Sequence, residues 1–271
     1  MPELPEVEFC RRTLVRWSAG RRVVGVDVPD PRSVRVNRGD RPSAGHPDGA
    51  AELRAVVTAA PPGEVLRHGK RLLWRFGEGA LLLHLGMTGK WAHTPNRYVK
   101  VRLDLDDGSA LYFCDPRLLG GVVPTRWEAG QRLLREGLGP DAWNDPLPAL
   151  RGARAVKIAL MDQSLVAGLG NVQVMEALWR AHIHPGTPCD ALTDAQRARL
   201  PGAVREQLAA TLALFDGADE IVYVEEDRSS NPFPIYRREG QPCPVCGTPI
   251  ARMVQGGRST YWCPGCQPPN K

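Results

Sequence analysis

Apolar and polar positions change their rhythm partway along this chain. Near the start, Leu4, Val7, Leu14 and Trp17 fall loosely on one side of a helix drawn over residues 3–17. Segment 64–76 carries Val65, Leu66, Leu72, Leu73, Trp74 and Phe76, and residues 80–85 form an apolar run short enough for a buried strand. Residues 99–105 (Val-Lys-Val-Arg-Leu-Asp-Leu) alternate strictly, as a half-buried strand does. Asp107-Gly108 then supplies a hairpin turn into a second strand over 109–114. Strands punctuated by turn residues predict an antiparallel β-sandwich with one opening helix.

Residues 137–148 are rich in Gly, Pro, Asp and Asn, the composition of a junction between domains. Beyond them the rhythm turns helical, over 150–161 and 172–180. Thr193 with Gln196 forms a capping-box pattern, and Leu200, Val204, Leu208 and Leu212 mark one face of the helix that follows. Pro201 is expected to kink or restart that helix. The fold class is therefore α+β, with no internal repeats and no low-complexity tail.

Composition narrows the possibilities only a little. The 271 residues are enough for two ordinary domains, and 42% apolar content argues against disorder. No run of eighteen apolar residues suggests a membrane span, and the acidic, proline-rich N-terminus does not read as a secretion signal, so a cytoplasmic protein is expected. The formal charge of +5 permits nucleic-acid binding without establishing it. Most basic residues are Arg, which suits bidentate phosphate contacts, although GC-rich coding produces the same bias.

Three local patterns carry chemistry. Cys243-Pro-Val-Cys246 and Cys263-Pro-Gly-Cys266 are two tight pairs separated by sixteen residues, enough for a β-hairpin. Four thiolates so spaced suit one tetrahedral, structural zinc ion in a zinc ribbon. The odd total of seven cysteines argues against a disulfide framework. Second, removal of Met1 would expose Pro2 as a secondary amine, able to attack an electrophilic sugar carbon, with Glu3 beside it to move protons. The same two residues also fit an ordinary processed N-terminus. Third, Gly168-Leu-Gly-Asn171 leads into a helix, where free backbone N–H groups can face an anion and Asn171 can act as N-cap. By itself this is a generic turn.

Taken together, these residues resemble the formamidopyrimidine-DNA glycosylase/endonuclease VIII family. The matching stretches are Met1-Pro-Glu-Leu-Pro-Glu-Val-Glu8, Gly69-Lys70, His84-Leu-Gly-Met87-Thr-Gly89, Asp115-Pro-Arg117, Leu160-Met-Asp162 through Gly170-Asn171, and the cysteine pairs. They occur in the family's order and cover nearly the whole chain. The resemblance implies a catalytic sandwich over 1–128, a linker over 129–148, a helix–two-turns–helix domain over 149–228 and a zinc ribbon over 236–268. It also implies duplex DNA bearing a damaged base or abasic site as partner, held in a cleft between the domains of a monomeric, nucleoid-associated repair enzyme. In that frame Pro2 is the Schiff-base nucleophile and Glu3 the acid that opens the sugar. Lys70 contacts phosphate and moves a proton during β-elimination, and Arg258 grips flanking phosphates and serves δ-elimination. His84 and Asn171 are further phosphate contacts, and Arg151, Arg154 and Lys157 add unspecific positive charge. Met87 is a wedge that enters the vacated base stack, and Arg117 faces the orphaned partner base. Without the family context, Met87 reads as a core residue and Asp115-Pro-Arg117 as a turn.

The sequence departs from the formamidopyrimidine branch at points that bear on substrate. The Asp-Pro-Arg segment there continues Arg-Phe-Gly; here it is Leu118-Leu119-Gly120, so the second wedge is aliphatic. Tyr98 stands where a DNA-contacting histidine is expected. Segment 217–240, whose counterpart caps 8-oxoguanine, is short and lacks its Gly-Tyr-Phe-type signature. Modest 8-oxoguanine activity is the expectation. The competing readings are the same chemistry on oxidised pyrimidines or bulky, alkylated adducts, a non-catalytic damage-binding protein, and a zinc-ribbon interaction protein.

Overall fold

The computed structural model describes residues 2–38, 41–44, 48–221 and 231–270, with backbone alone at 36–38 and 41–44. The chain forms two compact units, one of Met1–Glu136 with Phe215–Glu225, the other of Gly137–Leu214 with Glu226–Lys271.

The first unit opens with helix α1 (Leu4–Ser18), followed by β1 (Val23–Asp27), β2 (Arg35–Arg38), β3 (Arg41–Ala44) and α2 (Gly49–Ala59). Then come β4 (Pro62–His68), β5 (Arg71–Phe76), β6 (Gly79–His84), β7 (Lys90–Ala92), β8 (Val99–Leu105), β9 (Ala110–Cys114) and β10 (Gly121–Arg126). Two four-stranded antiparallel sheets result, in the orders β1-β8-β9-β7 and β10-β6-β5-β4. The expected hairpin forms as β8–β9, with Gly108 at φ 84° in its turn. Trp74 on β5 meets Trp91 on β7 edge to face at 5.9 Å, and Trp91 packs on Phe113 of β9 at 5.6 Å. One aromatic row thus joins the two sheets, the arrangement in which such rings bury most apolar area.

The chain does not pass straight from this sandwich into a linker. Residues expected to begin it, from 129 onward, belong to helix α3 (Trp127–Arg135), whose Trp127 and Leu134 pack with Leu73 and Ala80. Burial of that apolar side outweighs the local polarity of a segment that reads as a connection. Residues 215–221, expected in the helical domain, return to the first unit: Phe215 packs on Phe9 at 5.1 Å, and Glu220 pairs with Lys90 at 3.4 Å.

The second unit contains α4 (Val156–Met161), α5 (Asn171–Arg180), α6 (Asp194–Ala213) and the hairpin β11 (Ala251–Gln255) with β12 (Arg258–Trp262). The helix read over 150–161 is thus confined to its second half. Helix α6 begins at the anticipated Thr193–Gln196 capping box and runs through Pro201 without restarting. A proline costs one main-chain bond, and buried Leu200, Val204, Leu208 and Leu212 hold both halves of the helix on the same apolar face. Among the described residues no helix is long and apolar enough to cross a membrane.

Candidate active site and nucleic-acid interface

The start of α1 is shaped by its first residues. Pro5 fixes φ in the first turn, where the missing N–H has no helical partner to lose. Glu3 is the N-cap, and its backbone N–H donates to the Glu6 carboxylate at 2.9 Å in a reciprocal capping box. Pro2 is buried and Glu3 is only 2% exposed. Desolvation, reinforced by the neighbouring Glu3 charge, pushes the Glu6 carboxyl up to about 7. Two carboxyl groups therefore flank the N-terminal segment, one of them able to hold a proton near neutrality.

Helix α1 is tied to the β4–β5 turn that carries Lys70. Glu8 accepts from Arg11 and Arg12 at 2.9 Å and from Arg67 of β4 at 3.1 Å. Arg67 also donates to the carbonyl of Gly69, which sits at φ 55° immediately before Lys70. Desolvation alone would raise the Glu8 carboxyl, but bonds from Arg11 and Arg12 and the Arg67 charge hold it down at about 2. Glu6, Glu8 and Arg67 were not singled out as functional residues by sequence reasoning. The Glu3-x-x-Glu6 spacing is itself a capping signal, whereas nothing in the sequence pairs Glu8 with Arg67.

A second group of expected site residues lies on two loops of the same unit. Met87 (38% exposed) follows β6, and Arg117 and Leu119 (42% exposed) follow β9. Asp115, fully buried, fixes both loops: it accepts from the Thr88 hydroxyl at 2.7 Å and from the backbone N–H of Arg117 at 3.1 Å and of Gly120 at 2.8 Å. Gly86, at φ 64°, lets the loops touch, since a Cβ there would run into the backbone of Leu119 and Gly120. The exposed apolar side chains of Met87 and Leu119 thus stand on a backbone with little freedom. His84 accepts from the Gly86 N–H through Nδ1. Partial desolvation, then the cations Arg35, Arg71 and Lys70, lower its pKa and favour the neutral imidazole. Tyr98 lies under the Arg97 guanidinium at 4.8 Å, and its carbonyl accepts from the Asp115 N–H.

In the second unit, β11 and β12 are joined by Gly256-Gly257, both at positive φ (55° and 71°), a two-residue hairpin turn that presents exposed Arg258 at its edge. Asn171 is not the N-cap it was expected to be. Gly170 holds that position, and the Asn171 amide instead donates to the Ser259 carbonyl at 3.1 Å, joining α5 to the hairpin. Lys157 is also corrected: it adds no surface charge, being 0% exposed with Nζ donating to the Thr260 hydroxyl at 2.7 Å. A buried ammonium requires such partners. Arg154 pairs with Asp162 at 2.9 Å, and Arg151 lines a cavity of about 520 Å³ with Leu150, Asp194 and Arg197.

The Cys243, Cys246, Cys263 and Cys266 sulfurs all lie within 4.8 Å of one another, with pairs at 3.8, 3.3 and 3.5 Å. Four sulfurs about 2.3 Å from one tetrahedral ion stand about 3.8 Å apart, so the set fits zinc. With every coordination position filled by protein, the ion supplies structure and leaves no place for a reacting water.

Comparison with known proteins agrees along the whole chain. The formamidopyrimidine-DNA glycosylase N-terminal domain matches residues 1–122, the H2TH domain of the same enzyme 142–221, and the zinc finger found in FPG and IleRS 240–269. The chain is 37% identical over 286 residues to the formamidopyrimidine-DNA glycosylase of Salinispora arenicola, covering 99% of this chain and 96% of that one. It is also similar to that of Thermobifida fusca, 37% identical over 298 residues with 99% and 98% covered. Among solved structures, the MutM (Fpg) protein from Thermus thermophilus superposes with a TM-score of 0.78 at 33% identity over 100% of both chains. Lactococcus lactis Fpg, solved in complex with abasic-site DNA, gives 0.81 at 26% identity over 98% of this chain and 99% of that one. With all three domain patterns in order and near-complete relatives well above 30% identity, this chain belongs to the formamidopyrimidine-DNA glycosylase family of DNA-repair enzymes.

Proposed function

We propose that this chain is a bifunctional glycosylase and abasic-site lyase, with Pro2 as its nucleophile once Met1 has been removed. The observation that carries this reading is the start of α1, where a secondary amine would sit beside buried Glu3 and its partner Glu6. The relatives supply the substrate class, since solved neighbours carry DNA with 8-oxoguanine, an abasic site, a ring-opened guanine or an oxidised pyrimidine.

The target nucleotide must leave the stack for the amine to reach it. The neutral Pro2 nitrogen attacks C1′; the bond from C1′ to the base breaks, and its electron pair leaves with the base, which takes up a proton. The C1′–O4′ bond then opens as the iminium forms, and Glu3 delivers a proton to O4′. The iminium makes the C2′ proton acidic. Its removal, with Lys70 in attendance, expels the 3′ phosphate, and a second elimination steadied by Arg258 expels the 5′ phosphate. Addition of water to the remaining iminium frees Pro2 and leaves the sugar fragment as an aldehyde. His84, Arg117, Asn171, Arg151 and Arg154 are assigned to DNA contacts, and Met87, Tyr98 and Leu119 to the distorted strand. Phosphate contacts set register while inserted side chains fill the gap.

Leu119 gives up the aromatic stacking worth about 1–3 kcal/mol per base. Ring-opened purines, oxidised pyrimidines and abasic sites are therefore assigned as better substrates than 8-oxoguanine. Of segment 217–240, on which that assignment also draws, residues 222–230 lie outside the described residues. Borohydride trapping on abasic-site duplex tests the mechanism, because reduction fixes the iminium as a covalent adduct. The native N-terminus should trap and an N-terminally extended chain should not; undiminished trapping by the extended chain rejects Pro2. Single-turnover rates on matched duplexes rank the lesions, and a strong preference for 8-oxoguanine opposite cytosine overturns the assignment.

A further inference from the structure

The turn that carries Leu119 holds a conformation its own residues disfavour. Leu118 sits at φ 54°, in the left-handed region that a branched L side chain enters at a cost. Such strain persists only where surrounding contacts over-determine it. Asp115 takes two N–H groups of the turn, those of Arg117 and Gly120. A donor to its carbonyls comes from elsewhere in the chain.

Arg35 supplies it from 85 residues away in sequence. Its Nη2 donates to the Gly120 carbonyl at 3.2 Å and the Leu119 carbonyl at 3.4 Å. The side chain crosses Gly121, where a Cβ would meet Nε at 2.9 Å. That Nε is buried and has no hydrogen-bond partner among the described residues. A buried, unsatisfied N–H is unfavourable, so this placement is poorly explained by stability alone. Asp115 and Arg35 together grip the turn by its donors and its acceptors, and the element so gripped ends in an exposed leucine.

We propose that Arg35 is a positioning residue for base extrusion: by holding the Leu119 and Gly120 carbonyls it keeps the strained turn in place and sets the angle at which Leu119 enters the base stack. The proposal rests on the reading of Leu119 as a wedge. Without the clamp, Leu118 is free to relax to negative φ and Leu119 to swing, so that DNA must order the turn during insertion. The penalty falls on steps that need a wedge. Strand cleavage at an abasic site in single-stranded DNA has no opposing stack to enter and escapes it.

Two assays separate the outcomes. In Arg35→Ala, single-turnover excision of a lesion from duplex DNA should fall about tenfold, a rise of about 1.4 kcal/mol in the barrier. Lyase activity on a single-stranded abasic site should stay within about twofold of wild type, because positioning for the chemistry is untouched. Leu119→Ala should show a similar duplex defect, and the Arg35→Ala/Leu119→Ala chain should be no worse than either, since a clamp has nothing left to position. If Arg35→Ala does not fold, Arg35→Lys keeps the charge but loses the planar fork and should show the same selective defect. Wild-type duplex excision by these variants overturns the proposal. So do defects that multiply in the double variant, or a flattened salt dependence, which marks a direct phosphate contact. Absence of lyase activity from the wild-type protein would instead refute the proposed function.

Discussion

Strand β5 completely buries Leu72, Leu73, Trp74 and Phe76, whereas none of the five residues of β11 is buried. The sandwich therefore draws its stability from apolar area withdrawn from water across two four-stranded sheets. The hairpin has two strands and almost no apolar interior, too little to stand alone. What holds it is largely polar and comes from outside its own strands: four cysteines, Lys157 against Thr260, and Asn171 against Ser259, with Tyr236 packed on Tyr261 and His184 on Trp262. The two regions also treat buried charge differently. Glu8 in the first unit is surrounded by three arginines. Glu176 on α5 accepts the Ile235 and Tyr236 N–H groups at 3.1 and 2.8 Å, and burial raises it to about 7. The difference teaches that one chain can place a rigid apolar scaffold behind its N-terminal segment and a metal-dependent clip behind the turn that presents Arg258.

The largest effect follows from removing zinc. Structural zinc contributes about 10–16 kcal/mol in peptides that fold around it. Chelation should open β11–β12 and abolish tight DNA binding, while β4–β10 persist. Hydrogen exchange resolved by segment reads this directly. Unchanged protection at 251–262 after full metal removal would show that the hairpin holds itself.

Next in size is the sandwich core. Trp74→Ala should cost about 3–5 kcal/mol, as large-to-small changes at buried aromatics do. Its effect on thermal unfolding should appear in the first unit and leave zinc content unaltered, measured by calorimetry and elemental analysis. A loss below about 1 kcal/mol would mean the aromatic row is not the core of this unit.

The smallest effect concerns acid. A carboxyl held at about 2 when folded and near 4.5 when unfolded contributes stability that is fully present above pH 4.5. That contribution is lost as pH falls through 2, and its ceiling is about 3 kcal/mol. Glu8→Gln should therefore destabilise the protein at pH 7 and flatten the acid limb between pH 4.5 and 2. Denaturant melts at several pH values measure both. Glu6, raised to about 7, acts with the opposite sign, its stabilisation declining as pH rises from 4.5 through 7. An acid limb as steep in Glu8→Gln as in wild type would remove the arginine cluster from the account of α1.

Local chemistry made much of this molecule legible. The strict alternation over 99–105 with Asp107-Gly108 has one low-energy outcome, a hairpin, and the structure contains it. The cysteine spacing likewise admits few arrangements, and the four sulfurs converge. The opening octapeptide pointed to Pro2 and Glu3 through resemblance, and the capping box that orders them is visible as Glu3-x-x-Glu6. Where sequence reasoning failed, a polar side chain met a partner far along the chain. Lys157 read as surface charge because lysine usually is, yet it is buried on Thr260, 103 residues away. Asn171 read as a cap because it follows Gly170, yet its amide reaches Ser259. The stretch from 129 was placed in a linker by the domain division that the resemblance implies, yet Leu134 packs with Leu73 and Ala80.

By itself, then, the sequence determined the elements whose signals lie within a few residues: the capping box that opens α6, the β8–β9 hairpin and the zinc ligands. Their cause is backbone geometry and side-chain periodicity, both of which act over one or two turns of chain. Tertiary structure alone decided which long polar side chains became internal ties: Arg67 to Glu8, Lys157 to Thr260 and Arg35 to the Leu119 turn. A flexible arginine or lysine has many partners within reach in an unfolded chain. Only packing, by excluding water and fixing the backbone carbonyls and carboxylates around it, selects a fixed set of them.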